Sequence, residues 1–236
     1  MAKVGDSIMA ENANWTFGGH VADTFDDHVS KSVPHYDVGH DLVVKISDYF
    51  LTSGSLCYDL GCSTGTLLRA LAERNRGKDV QFIGVDAEEG MVEHARRKLQ
   101  GFNNATIIKS DVMDVEFKTA EMIVAYYMFQ FVRPKHRQSL FNQIYEKLSW
   151  GGGFLLFEKV RACDARFQDM MTGLYTDYKL DQEYSPDEIV GKSRSLKGVM
   201  EPFSTQGNLD LLRRAGFVDI MTVFKYVCFE GFLAIK

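Results

Sequence analysis

Between residues 54 and 159, short apolar runs alternate with stretches in which apolar residues recur every three or four positions. The runs at 55–60, 80–85, 105–109, 122–126 and 153–158 are short and apolar in the manner of strands buried on both faces. The segments between them, 67–74, 91–99 and 136–148, carry helical stripes, the last with Leu140, Ile144 and Leu148 at i, i+4 spacing. This alternation predicts βαβ units, and hence a doubly wound α/β fold with a mostly parallel sheet. Crossovers between parallel strands wind right-handedly, so helices cover both faces and the carboxyl ends of the strands share one edge. A ligand is expected at that edge.

The flanks have their own patterns. Residues 1–53 read as a helical lid, with Phe25 and Val29, then Val38, Leu42, Ile46 and Phe50 beyond Pro34, at helix-like spacing. Residues 162–200 read as an insertion: a helix carrying Phe167, Met170, Met171, Leu174 and Tyr175, its stripe assigned to core or dimer surface, then a polar loop. The chain closes with a helix at 207–215 stopped by Gly216. Strands at 218–224 and 228–235, joined by a short turn, supply an antiparallel C-terminal strand. No repeat or low-complexity stretch interrupts the pattern, and residues 1–236 are expected to form a single domain.

Composition narrows the function. Of 236 residues, 45% are hydrophobic and 25% charged, the usage of a globular chain rather than a disordered one. No window approaches 18 consecutive apolar residues and no basic segment leads into an apolar one, so a cytoplasmic protein without a membrane partner is expected. Cys57, Cys62, Cys163 and Cys228 are scattered, with no histidine at ligand spacing, so no metal is expected and reduced thiols are. A net charge of −5 argues against direct nucleic-acid binding, which needs a broad electropositive surface.

The richest segment is Tyr58-Asp59-Leu60-Gly61-Cys62-Ser63-Thr64-Gly65, which follows a strand and opens a helix. Gly61 and Gly65 let the backbone turn sharply and approach a ligand. Asp86 ends the next strand, about twenty residues on, where a carboxylate can accept from both hydroxyls of a ribose. The pattern is D-x-G-x-x-x-G, not the dinucleotide fingerprint G-x-G-x-x-G. A pyrophosphate would be repelled by Asp59, whereas a sulfonium with an amino-acid tail would be attracted.

These residues resemble the first two motifs of the class I S-adenosylmethionine-dependent methyltransferases. That resemblance implies that Asp111-Val112, after the third strand, holds an adenine ring: the carboxylate accepts from the exocyclic amine and the amide donates to the ring. Each acid has a plainer reading: Asp59 as a loop cap, Asp86 as a helix cap, Asp111 as a turn residue. Three acids at the carboxyl ends of three successive strands favour the binding reading.

The resemblance extends further. Trp15-Thr16-Phe17, Val21-Ala22-Asp23-Thr24-Phe25-Asp26-Asp27, Ser32-Val33-Pro34-His35-Tyr36, Tyr58 to Ser63, Gln130-Phe131 and the segment from Tyr184-Ser185 to Val199-Met200 are similar to the carboxy-S-adenosylmethionine synthases. Those enzymes join S-adenosylmethionine to prephenate, making a carboxymethyl sulfonium used to modify a transfer-RNA uridine. The resemblance implies a cofactor, S-adenosylmethionine or S-adenosylhomocysteine, held by Tyr36, the loop Asp59, Gly61, Cys62, Ser63 and Gly65, the pair Asp86-Ala87, the pair Asp111-Val112, and Tyr126. It also implies a homodimer, with residues 190–200 near the partner's pocket.

Two positions depart from that family. Tyr126 stands where the family has asparagine, and Ser193 stands where it has the arginine that pairs with the extra carboxylate, with Arg194 one position along. A buried carboxylate without a cationic partner is costly. Plain S-adenosylmethionine, donating its methyl to a small-molecule acceptor, is therefore the leading expectation. Carboxy-S-adenosylmethionine synthesis from prephenate, with Arg194 as stand-in, is the second. A binding protein that keeps the cofactor and has lost chemistry is the third. The catalytic candidates are His20, His35, Tyr126 and Arg194, with Tyr127, Glu158 and Tyr175 also expected beside the strand ends.

Overall fold

The structure, a computed structural model, describes residues 2–5, 9–18 and 21–236. A two-residue pairing of β1 (Ala2–Lys3) with β2 (Met9–Ala10) precedes α1 (Val21–Ser32) and α2 (Tyr36–Ile46). The βα alternation follows: β3 (Leu56–Leu60), α3 (Thr66–Arg74), β4 (Gln81–Asp86), α4 (Glu89–Lys98), β5 (Ala105–Lys109), β6 (Ala120–Tyr126), α5 (Pro134–Lys147) and β7 (Leu148–Lys159). Last come α6 (Ala165–Asp181), α7 (Pro186–Ser195), α8 (Thr205–Ala215), β8 (Asp219–Tyr226) and β9 (Phe229–Ile235).

The main sheet runs β5-β4-β3-β6-β7-β9-β8, parallel from β5 to β7, with β9 antiparallel to both its neighbours. The order reverses beside β3, and that switch point opens a crevice at the strands' carboxyl ends.

Period-two alternation splits the core in two. Cys57, Phe82, Met122, Val124 and Phe157 face α2, α3 and α4, packing on Val43, Leu68, Leu71 and Val92. Tyr58, Leu60, Val85, Ile123 and Leu156 face α5 and α8, packing on Leu140, Phe141, Ile144, Leu211 and Leu212. The same alternation places Asp59, Asp86, Tyr126 and Lys159 on the first face and Glu158 on the second.

One expectation fails. The stretch after α6, read as a polar loop, holds α7. Ser185 accepts from the Glu188 amide, the Glu188 carboxylate accepts from the Ser185 amide, and a proline fills the first turn. The helix is polar because only a short stripe is buried, through Gly191, Lys192 and Ser195, while its backbone holds the N-terminal segment by the Ala13 and Trp15 amides.

Candidate active site

At the switch point, β3 ends in the turn 61–65. Gly61 (φ 71°) and Gly65 (φ 78°) adopt the left-handed backbone that glycine tolerates. A Cβ on Gly61 would lie 2.5 Å from Met128 Cγ. One on Gly65 would press on Ala95 of α4, so glycine there also lets the loop pack against that helix. Four of the loop's amides are already engaged. Gly61 and Cys62 donate to the Val85 carbonyl, Ser63 to Asp86 Oδ2 at 2.9 Å, and Gly65 to the Cys62 carbonyl. A phosphate cradle presents its amides to the ligand, and this loop turns them inward.

What faces the cavity is carboxyl and aromatic. Asp59 is 1% exposed, and its Oδ2 has no hydrogen-bond partner among the described residues. Burial, reinforced by the Asp86 charge, pushes its carboxyl up to about 7. Asp86, at the end of β4 and outside the cavity lining, is raised by burial against the opposing pull of the Glu88, Ser63 and Ala87 amides. Around Asp59 lie Tyr36 and His40 from α2, Tyr126 from β6, Phe25 and Asp26 from α1, and Gly61, Cys62, Ser63 and Thr64. Cys62 contributes backbone, since its thiol packs into the core against Gly84.

Tyr126 reaches across to α2 and donates to the Tyr36 carbonyl at 2.7 Å. Only glycine at position 39 admits its hydroxyl there. Burial raises the Tyr36, Tyr126 and Tyr127 phenols above their ordinary range, so they stay neutral hydrogen-bond donors. His40 packs on Tyr36 and Tyr126 with ring centroids 4.5 and 4.6 Å away; burial lowers its pKa to about 4, and its Nε2 has no hydrogen-bond partner among the described residues. Asp26 closes the rim: it accepts from Thr64 at 2.6 Å and Thr66 at 3.1 Å, and pairs with Lys98 at 2.7 Å. The cavity is partly open and measures about 10 Å³, room for about one water.

The remaining candidates fall as follows. Asp111 accepts from the Met113 amide and caps a single turn, with Val112 beside it half-buried, so its other carboxylate oxygen is left to solvent or a ligand. Ala87 is exposed next to Asp86. His35, exposed at the start of α2, packs edge-on to Tyr226 and lies outside the cavity lining. Arg194 and Ser193 are both exposed on α7, which contributes no residue to that lining. Glu158 faces the other side of the sheet, where burial pushes its carboxyl up to about 8 against the pull of Arg137. His20 lies outside the described residues. Sequence reasoning missed His40 and Asp26. The signal for His40 was its i, i+4 spacing from Tyr36; Asp26 lay within the family-like segment 21–27, but its role needs α1 folded across the loop.

An unpartnered buried carboxyl under aromatic faces suits a ligand cation, and Asp86 suits a ribose. The residues therefore fit an adenosyl sulfonium with an amino-acid tail. Comparison with known proteins agrees. Residues 58–152 match the methyltransferase-domain family. The carboxy-S-adenosyl-L-methionine synthase of Campylobacter lari is 37% identical over 221 residues, 93% of this chain and 94% of that protein. The synthase of Wolinella succinogenes is 36% identical over 225 residues, 93% and 92% of the two chains. The structure of human N-acetylserotonin methyltransferase in complex with S-adenosylmethionine covers 92% of this chain and 55% of its own, with a TM-score of 0.61 at 16% identity. No described helix is long and apolar enough to cross a membrane. The chain belongs to the carboxy-S-adenosyl-L-methionine synthase family and is an S-adenosylmethionine-dependent transferase of the methyltransferase fold.

Proposed function

We propose that this enzyme binds plain S-adenosylmethionine and transfers its methyl group to a small-molecule acceptor. The observation that carries this reading is the lining of the cavity beside Asp59: carboxyl oxygens, neutral phenols and a histidine kept neutral by burial, with no lysine or arginine among the described lining residues and the Lys98 ammonium at the rim already paired with Asp26. Such a wall favours a positively charged tail and offers nothing to a second carboxylate.

In this reading Asp59 receives the amino-acid ammonium, Tyr36 and the carbonyl side of 61–63 position the sulfonium, Asp86 accepts from the ribose, and Asp111 with Val112 holds the adenine edge. The cofactor supplies a methyl carbon already activated toward displacement. The protein's share is orientation and exclusion of water, for which the tyrosine cluster and the Asp26 latch are placed. The cavity's size means that α1 and the Tyr126–Tyr36 contact part to admit the ligand, as a lid does. Tyr126 is assigned to shaping this wall; His35, exposed, is available as a base only to an acceptor that reaches α2. A cytoplasmic homodimer belongs to the same proposal, supported by the exposed Phe167, Met170 and Leu174 along α6.

A second reading, carboxy-S-adenosylmethionine synthesis, is favoured by the names of the relatives at 36–37% identity. Mass spectrometry separates the two. With the purified enzyme, S-adenosylmethionine and prephenate, gain of a carboxyl group on the sulfonium overturns methyl transfer; an unchanged sulfonium mass removes the synthase reading, and methyl transfer is then read as S-adenosylhomocysteine formed when an acceptor is supplied.

A further inference from the structure

An amino-acid tail carries a carboxylate beside its ammonium, and Asp59 can serve only the ammonium. Two features of the same cavity offer hydrogen-bond donors. One is His40, 8% exposed, whose ring is packed against Tyr36 and Tyr126. It lines the cavity, and its Nε2 has no hydrogen-bond partner among the described residues. One nitrogen of a neutral imidazole carries a proton, so Nε2 can donate. The other feature is the first turn of α3. Its N-cap, Gly65, brings no side chain to close the helix, and the Thr66 and Leu67 amides have no acceptor among the described residues. Both residues line the cavity, and Leu67 is only 4% exposed.

Neither feature helps the fold by itself. A buried imidazole nitrogen left unpaired costs stability, and a leucine or phenylalanine would fill the space between the rings without that cost. A helix end turned into a buried space without a cap is penalised in the same way. Donors from two elements that face one small space, one of them at the positive end of a helix, suit an anion. The charges acting on His40 are those of Asp26 and Lys98, which are paired with each other at 2.7 Å, and Asp59 lines the same cavity. With carboxyls this near, a phosphate dianion would be repelled. A carboxylate on a zwitterion would not, because its own ammonium answers Asp59.

We infer that His40, together with the first-turn amides of α3, receives the carboxylate of the cofactor's amino-acid tail. The inference rests on the cofactor reading above and deepens it. Asp59 from β3 and His40 from α2 then hold the two charges of the zwitterion, which fixes where the sulfonium stands. The other source of a carboxylate is the acceptor, and a test run without any acceptor separates the two.

The probes are S-adenosylmethionine and its decarboxylated form, which keeps the sulfonium and the ammonium and lacks the carboxylate. Each is titrated calorimetrically into the enzyme. The wild type should bind S-adenosylmethionine about tenfold to a hundredfold more tightly than the decarboxylated form, the worth of charge-assisted contacts. His40→Phe should weaken S-adenosylmethionine by about tenfold and leave the decarboxylated form unchanged. A merely structural histidine would weaken both alike, and that result overturns the inference. His40→Leu carries the same measurement should the phenylalanine variant fail to fold. Equal affinity of the wild type for the two probes, or a preference that survives undiminished without His40, also overturns it. So does a preference lost in Lys98→Met and kept in His40→Phe, which would move the carboxylate to the rim lysine. Failure of the wild type to bind either probe would instead sink the cofactor reading.

Discussion

Replacing Asp59 by asparagine isolates the group on which the cofactor reading depends. The native carboxyl titrates near 7 against an ordinary 3.8, a difference worth about 4 kcal/mol in full. Because the native pKa is raised, the folded state holds the proton across this window more tightly than the unfolded chain does. Asp59 therefore costs nothing below about 3.8, and stability falls as the pH rises, the full cost being felt above about 7. Asparagine removes the charge but leaves a buried amide to satisfy, at a cost of about 1–3 kcal/mol. At pH 8, without ligand, Asp59→Asn should thus be more stable by roughly 1–3 kcal/mol, a rise in Tm of a few degrees for a chain this size. The advantage should vanish and reverse toward pH 4. Ligand binding should move the other way. A bound ammonium pulls the Asp59 pKa down, so wild-type affinity for S-adenosylhomocysteine should climb by up to about tenfold per pH unit below 7, with proton release. Asp59→Asn should bind about tenfold to a hundredfold more weakly and show no such slope. Thermal melts from pH 4 to 8, and calorimetry in buffers of different ionisation enthalpy, read both effects. A variant that melts lower at pH 8 and binds as tightly as wild type would refute the reasoning.

Other expectations are independent of that one. His40, held near 4 by burial, is neutral in the native state where the unfolded side chain protonates, so it withdraws about 3 kcal/mol of stability as pH falls from 6.5 through 4; His40→Phe should flatten this acid limb in melts. Asp26→Ala removes the contacts to Thr64, Thr66 and Lys98 and should cost about 1–2 kcal/mol, while speeding S-adenosylhomocysteine exchange in stopped flow; unchanged rates would show that α1 does not gate the pocket. Gly39→Ala would ordinarily favour a helix by about 1 kcal/mol, but here it should destabilise, because the added methyl displaces the Tyr126 hydroxyl; in Tyr126→Phe the same change should cost much less, a coupling measurable by a double-mutant cycle.

The parallel sheet was legible because each βαβ unit is local. The strand read at 105–109 is β5 itself, and Asp59, Asp86 and Asp111 were placed by the short distance from each strand to its own loop. The partners of those acids were not. His40 and Tyr126 meet only because Gly39 leaves room, and Asp26 meets the loop only because α1 crosses it. The helix α7 was hidden by its own polarity, although Ser185 and Glu188 already spelled its cap. Periodicity reports which face is apolar, and not what lies across from it.

The most direct test of the central claim is a crystal structure of the chain with S-adenosylhomocysteine. The account predicts the ribose hydroxyls on the Asp86 carboxylate, the amino-acid ammonium on Asp59 and the adenine beside Asp111 and Val112. A nucleoside seated elsewhere, with Asp59 Oδ2 still unpartnered, would contradict it.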